Sequence, residues 1–279
     1  MKYWWLSLII VALCATAIFL TIRMRNNRKI SMTVLFAVST VLLTYKICEF
    51  VYYRIAGIPK YPVEFSHISY FIVGVTVCFG IKKMRPFAGI SSLLAGIGYI
   101  ITATFSPDTF VSNGSNVYYI ALGVIQHELL FFTGCILLFN IDKYSIKNIW
   151  VPIVGIVVMV LFSITVHERI IYPDYDERDK MIIYEIVTGM ILRHIMPMEN
   201  ITIALRVITA LGIGLAAVGL LFAFYFVNKK YHEHKESKGI RIEGKDFEMG
   251  IFYWVGREIK RRKRQREESL DISAEEDRS

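Results

Sequence analysis

Polar and apolar residues are not mixed along this chain. Long apolar runs occupy 4–22, 30–53, 61–81, 87–105, 117–139, 149–166 and 201–227, and short charged stretches separate most of them. About 20 apolar residues at about 1.5 Å each cross a hydrocarbon core of about 30 Å. The pattern therefore predicts an all-α, polytopic transmembrane bundle of about seven helices.

The charged stretches orient it. Arg23, Arg25, Arg28 and Lys29 follow the first run, Lys82, Lys83 and Arg85 the third, and Lys143 and Lys147 the fifth. The segment 106–116 after the fourth run has no Lys or Arg. Basic short loops stay on the inner side, which predicts an N-terminus out and a C-terminus in. Charge follows the first run rather than preceding it, so a retained helix is expected there and not a cleaved leader. The outer segment 167–200 holds a weaker apolar pattern at 181–196, where Ile183, Ile186, Val187, Met190 and Ile191 share a face. It reads as an interfacial or re-entrant helix. Residues 228–279 read as a cytoplasmic tail, basic and then acidic. Its apolar patch at 249–255 stands next to the basic run 260–266, which points to contact with an anionic inner leaflet.

Composition agrees. The chain is 54% hydrophobic, and its net charge of +8 sits in loops and tail, a topology signal that implies no nucleic acid partner. Cys14, Cys48, Cys78 and Cys135 all lie in apolar runs, so no disulfide framework is expected. The expected location is the cell membrane, as a multi-pass protein, with membrane lipids as partners.

The fifth run breaks the pattern with Gln126, His127 and Glu128 at its centre. Ionisable groups at mid-membrane are costly and persist where they face protein or a water-filled cavity. With the predicted orientation, Lys46, Glu49, Glu64, His67 and Arg206 fall in the same outer half, and His167 and Glu168 end the sixth run on that side. The inner half of the spans carries almost no charge. Lys46 and Glu49 share a helix face, as do Glu64 and His67. At 100° per residue, Gln126, His127 and Glu128 fan out and cannot all point one way. Each has a plainer reading as well: a Lys46–Glu49 pair or a snorkelling lysine, interfacial anchors at Arg206, His167 and Glu168, a solvated Glu64. Histidine is the natural general base, and Ser66 a nucleophile if His127 came within reach with a carboxylate orienting the ring. Glu64 and His67 have the spacing of bundle metal ligands, but no second such motif follows, so neither a metal nor a cofactor is expected. Two sequons, at 113–115 and 200–202, fall on outer segments.

The stretch Tyr61-Pro62-Val63-Glu64-Phe65-Ser66-His67 resembles the Pro-Leu-x-Leu-Cys helix start of the bacterial YwaF-like integral membrane proteins. Those are similar to an animal transmembrane acyltransferase that makes ether phospholipids. Ser106-Pro107-Asp108 stands where that family has a Pro-Asp-like turn, and His127 where it has a histidine on the next helix. The likeness covers about residues 30–140. It implies a seven-helix-type fold and, by extension from the animal enzyme, a Cys/His acyl-transfer site. Here Ser66 takes the cysteine's place, and Cys48 is not at the matching position.

Three functions remain open at this stage. One is a lipid-acting acyltransferase or hydrolase, with Ser66 as nucleophile, His127 as base, Glu64, His67 or Glu128 as orienting groups, and Lys46, Glu49, Gln126 and Arg206 around the substrate. The second is a non-enzymatic binder of a small molecule or ion, as a transporter or sensor. The third is a structural or assembly protein whose polar groups fix helix packing.

Overall fold

The computed structural model describes residues 4–58, 65–105, 117–162, 203–259, 261 and 262. The described residues are almost all helical and contain no β-strand, only a single bridge between Asn27 and Glu243. The helices are α1 (Trp4–Met24), α2 (Arg28–Ile55), α3 (Phe65–Phe79), α4 (Arg85–Phe105), α5 (Val117–Ile136), α6 (Trp150–Phe162), α7 (Ile203–Ser237) and α8 (251–259). Four helical stretches among the described residues are long and apolar enough to cross a membrane: Trp4–Met24, Arg28–Ile55, Lys82–Phe105 and Tyr118–Ile141. This is an all-helical protein with the apolar helices of a membrane protein.

Burial ranks these helices. Of their apolar windows, 22% is buried in each of the first two, but 50% and 61% in the stretches containing α4 and α5. So α4 and α5 form the central pair. α1 packs across both, α3 lies on α4, α2 on α3, and α6 against α4. Outward-facing Leu8, Phe19, Val41 and Val51 remain exposed. Such surface is costly in water and suits hydrocarbon.

The small residues of α4 are not equivalent. A methyl group on Gly96 would sit 2.8 Å from the Phe131 backbone of α5, whereas one on Gly98 would meet nothing within 4 Å. The facing Gly134 of α5 is likewise filled by Leu93. Close backbone approach, which replaces hydrophobic sorting in a bilayer, is concentrated on one face of α4.

Two features stand at the end of the bundle that carries Arg28, Asp142 and Asn228. First, α7 continues through Ser237, ten residues beyond its apolar run, so the beginning of the segment read as tail is helical. Asn228 is fully buried there: its amide donates to the carbonyls of Leu138 (2.6 Å) and Asp142 (2.9 Å), and its oxygen accepts from the Tyr144 amide (2.7 Å). α5 ends in a wide π turn, Leu137–Ile141. Its carbonyls are satisfied by side chains: Tyr144 on Leu137, Asn228 on Leu138 and Arg28 on Ile141. Helix ends buried without water require such partners.

Second, the same end carries a buried charge network, built from residues that lie between the apolar runs and in the tail. Arg28 and Arg85 are buried and share two carboxylates. Arg85 reaches Asp142 and Glu248, each at 2.6 Å, and Arg28 reaches Asp142 at 3.0 Å and Glu248 as well. Exposed Lys82 adds a contact to Glu248 at 3.1 Å. Glu248 comes from the tail, which folds back under the bundle. Glu243 pairs through its backbone with Asn26 and Arg28, both at 2.9 Å, and its carboxylate accepts from Asn27. At Gly250 and Gly80 two backbones meet: a Cβ on Gly250 would lie 2.7 Å from Gly80 Cα, and both residues hold positive φ (+130° and +75°). Only glycine fits that crossing.

Burial by itself would raise the Glu248 carboxyl. The Arg85 guanidinium, helped by Arg28 and Lys82, wins and holds it down at about 2, below the ordinary 4.5. A depressed carboxylate stabilises the docked tail fully above the ordinary value and loses that contribution as pH falls through the depressed one. Docking should therefore be constant down to about pH 4.5 and fail toward pH 2. The readout is acrylamide quenching of Trp254, taken as wild type minus Trp254→Phe. Release already complete at pH 5 would contradict this account.

Candidate functional site

Four helices bring a buried polar set together. On α2, Lys46 is only 3% exposed and its ammonium lies 2.6 Å from Glu49. The other Glu49 oxygen accepts from the Tyr53 hydroxyl at 3.2 Å. The three residues fall within two helical turns, so one face of α2 presents an internally paired group. The Lys46 ammonium also lies 4.8 Å from the centre of the Tyr70 ring, a cation–π contact with α3.

Tyr70 is fully buried and carries the set onward: the His127 ring on α5 meets it edge-on at 6.0 Å. The other face of His127 stacks on Tyr99 of α4, with centroids 4.0 Å apart and an angle of 4°. His127 Nδ1 is 3.2 Å from the Ala95 carbonyl oxygen. A carbonyl can only accept, so Nδ1 carries the proton and Nε2 the lone pair. His67 of α3 is buried and meets Phe50 of α2 edge-on at 5.4 Å.

The three central residues of α5 do fan out. His127 faces α3 and α4, and Gln126 reaches Tyr45 of α2. Glu128 turns the opposite way, to α1, where the Cys14 thiol lies 3.3 and 3.5 Å from its two oxygens. The Lys46–Glu49 pair is made, so the simple pairing reading of those two residues holds together with their place in the larger set. Ser66 is half-buried on α3, and no hydrogen bond joins it to His127. Glu64, His167, Glu168, the segment 181–196 and both sequons lie outside the described residues. Of Arg206 only the backbone is described, within α7. All four cysteines are unpaired. No cluster of three or more His, Cys, Asp or Glu able to hold a metal occurs among the described residues.

Beside the polar set runs an apolar groove of about 630 Å³ between α3, α4 and α6, bordered by Ile68, Phe71, Phe87, Trp150, Val154 and Val158. That volume lies within the usual range for small-molecule sites. Groove and polar set share α3. Ile68 follows His67 in sequence, and the Phe71 ring packs at 6.0 Å on Phe50, the residue that meets His67. The sequence reading missed Tyr70 and Tyr99, which link the charged residues, and it missed the groove. The aromatic residues sat inside apolar runs, where nothing in the spacing set them apart from core.

Protein-family models, curated proteins and solved structures offer no match to this chain.

Proposed function

We propose that this is a seven-span membrane protein, N-terminus out and C-terminus in, that binds a lipid or lysolipid. The head group sits among Lys46, Glu49, His67 and His127, and the acyl chain lies in the α3–α4–α6 groove. One observation carries the reading: α3 packs against the buried Lys46–Glu49 pair of α2 through Tyr70 and His67 and borders an apolar groove of ligand size through Ile68 and Phe71. An amphiphile needs both, whereas an inorganic ion needs no groove.

The orientation of His127 favours acyl transfer as the reaction such a site would run. With Nδ1–H held by the Ala95 carbonyl, Nε2 is the basic nitrogen. It would take the proton of an attacking hydroxyl as that oxygen bonds to the ester carbonyl carbon. It would then return the proton to the alkoxide that leaves as the tetrahedral intermediate collapses. If the hydroxyl is that of Ser66, an acyl-enzyme forms and Ser66 must first turn toward His127. If it belongs to a bound lysolipid, transfer is direct. The resemblance to YwaF-like proteins, with Ser66 at the cysteine position, agrees with the first route.

Binding and chemistry are tested separately. Lysophospholipid at about 100 times its dissociation constant should stabilise the purified protein by about 2.7 kcal/mol in thermal unfolding. Val154→Trp, which fills the groove, should abolish that shift without lowering the starting midpoint by more than a few degrees. Absence of any shift in wild type removes the lipid reading. Acyl release or transfer from a phospholipid panel should fall about 100-fold or more in His127→Ala, as for loss of a general base. Loss in Ser66→Ala marks the acyl-enzyme route, and retention marks direct transfer. A wild type that binds but never turns over is a lipid binder and not an enzyme.

A further inference from the structure

We infer that α8 is a membrane-surface helix that holds an anionic lipid leaflet at the inner face of the bundle. This is independent of the outer-half site. Its depth follows from the tail's docking. Glu248 is locked to Arg28 and Arg85, and Gly250 crosses Gly80, so α8 starts against the inner end of α3. Phe252 then packs on Phe79 at 5.5 Å, and Trp254 on Phe36 of α2 at 5.5 Å. Phe36 is about 12 Å along the axis from Arg28, the first residue of α2, at 1.5 Å per residue. Trp254 is therefore held beside a part of α2 that lies within the inner leaflet.

Each of these aromatic residues touches the bundle with one side and leaves the other uncovered. Phe252 is 60% exposed and Ile259 62%, with Ile251, Trp254 and Val255 also exposed. The row is anchored on α2 through Phe36 and on α3 through Phe79, and its exposed sides face away from the bundle. Arg257, Arg261 and Arg262 follow, all exposed, the latter two paired with Glu258 at 2.8 and 3.2 Å. In sequence the basic run extends through Arg266. Exposed aromatics at acyl depth with arginines beyond them fit anionic head groups over hydrocarbon. A purely aqueous partner would leave the apolar row in contact with lipid and unused by recognition.

The test uses full-length protein in nanodiscs of phosphatidylcholine, with and without phosphatidylglycerol. The Trp254 signal is taken as wild type minus Trp254→Phe. Lipids brominated on the acyl chain should quench it, with about twofold stronger quenching in the anionic discs. The triple variant R257Q/R261Q/R262Q changes only exposed side chains, so it should keep the wild-type melting midpoint and lose the dependence on phosphatidylglycerol. Quenching that is equal in the two lipid compositions overturns the assignment to an anionic surface. A Trp254 reached by acrylamide but not by brominated lipid, or protected only when polyglutamate is added, overturns the membrane assignment altogether.

Discussion

Arg85→Ala is expected to destabilise the protein by about 3–5 kcal/mol, because it removes one partner from a buried ion-pair network and leaves the others uncompensated. Arg85 is 1% exposed and bonds two carboxylates from different parts of the chain, Asp142 after α5 and Glu248 of the tail. Arg28 would then be the one buried cation facing both carboxylates, with exposed Lys82 reaching Glu248 alone. Arg85→Lys should recover only part of the loss, since a single ammonium cannot span two carboxylates as a planar guanidinium does. Glu248→Gln makes the complementary change. It should release the tail, seen as new protease cleavage between residues 240 and 262, while the bundle itself stays folded. Thermal unfolding in matched detergent reads the first effect. An Arg85→Ala protein that melts with wild type would mean the network contributes nothing to holding these helix ends and the tail together.

The second large effect is a contrast between two glycines one half-turn apart. Gly96→Val should cost about 3 kcal/mol or more, because its side chain would enter the backbone of Phe131 and force α4 and α5 apart. Gly98→Ala faces open space and should be neutral or stabilising by up to about 1 kcal/mol, the helix-propensity gain of alanine over glycine. Both are read as midpoint shifts in thermal unfolding. Equal effects at the two positions would show that α4 does not pack on α5 along the Gly96 face.

Much of the fold was legible as pattern. Apolar runs end where water or head groups begin, so the boundaries of α1 and α2 come within a few residues of the expected ones. The end of α7 did not, because its last turns carry Lys229, Lys230 and Lys235 and look like tail, yet packing buries Asn228 and keeps the helix going. The divergence of Gln126, His127 and Glu128 was also legible, since it follows from 100° per residue alone.

The sequence by itself determined which segments are helices, that some polar groups are buried among them, and that an aromatic patch and a basic run lie together near the chain's end. These are local properties, set by side-chain transfer energies and helical period. Only the tertiary structure decided the partners. His127 takes its proton position from Ala95, 32 residues away, and its stacking from Tyr99. Arg85 is an ordinary loop cation until Asp142 and Glu248 arrive from 57 and 163 residues away. The groove exists only where α3, α4 and α6 fail to close on one another. Charge and shape become a site through distances between segments. Sequence spacing does not encode those distances once the chain has turned back on itself.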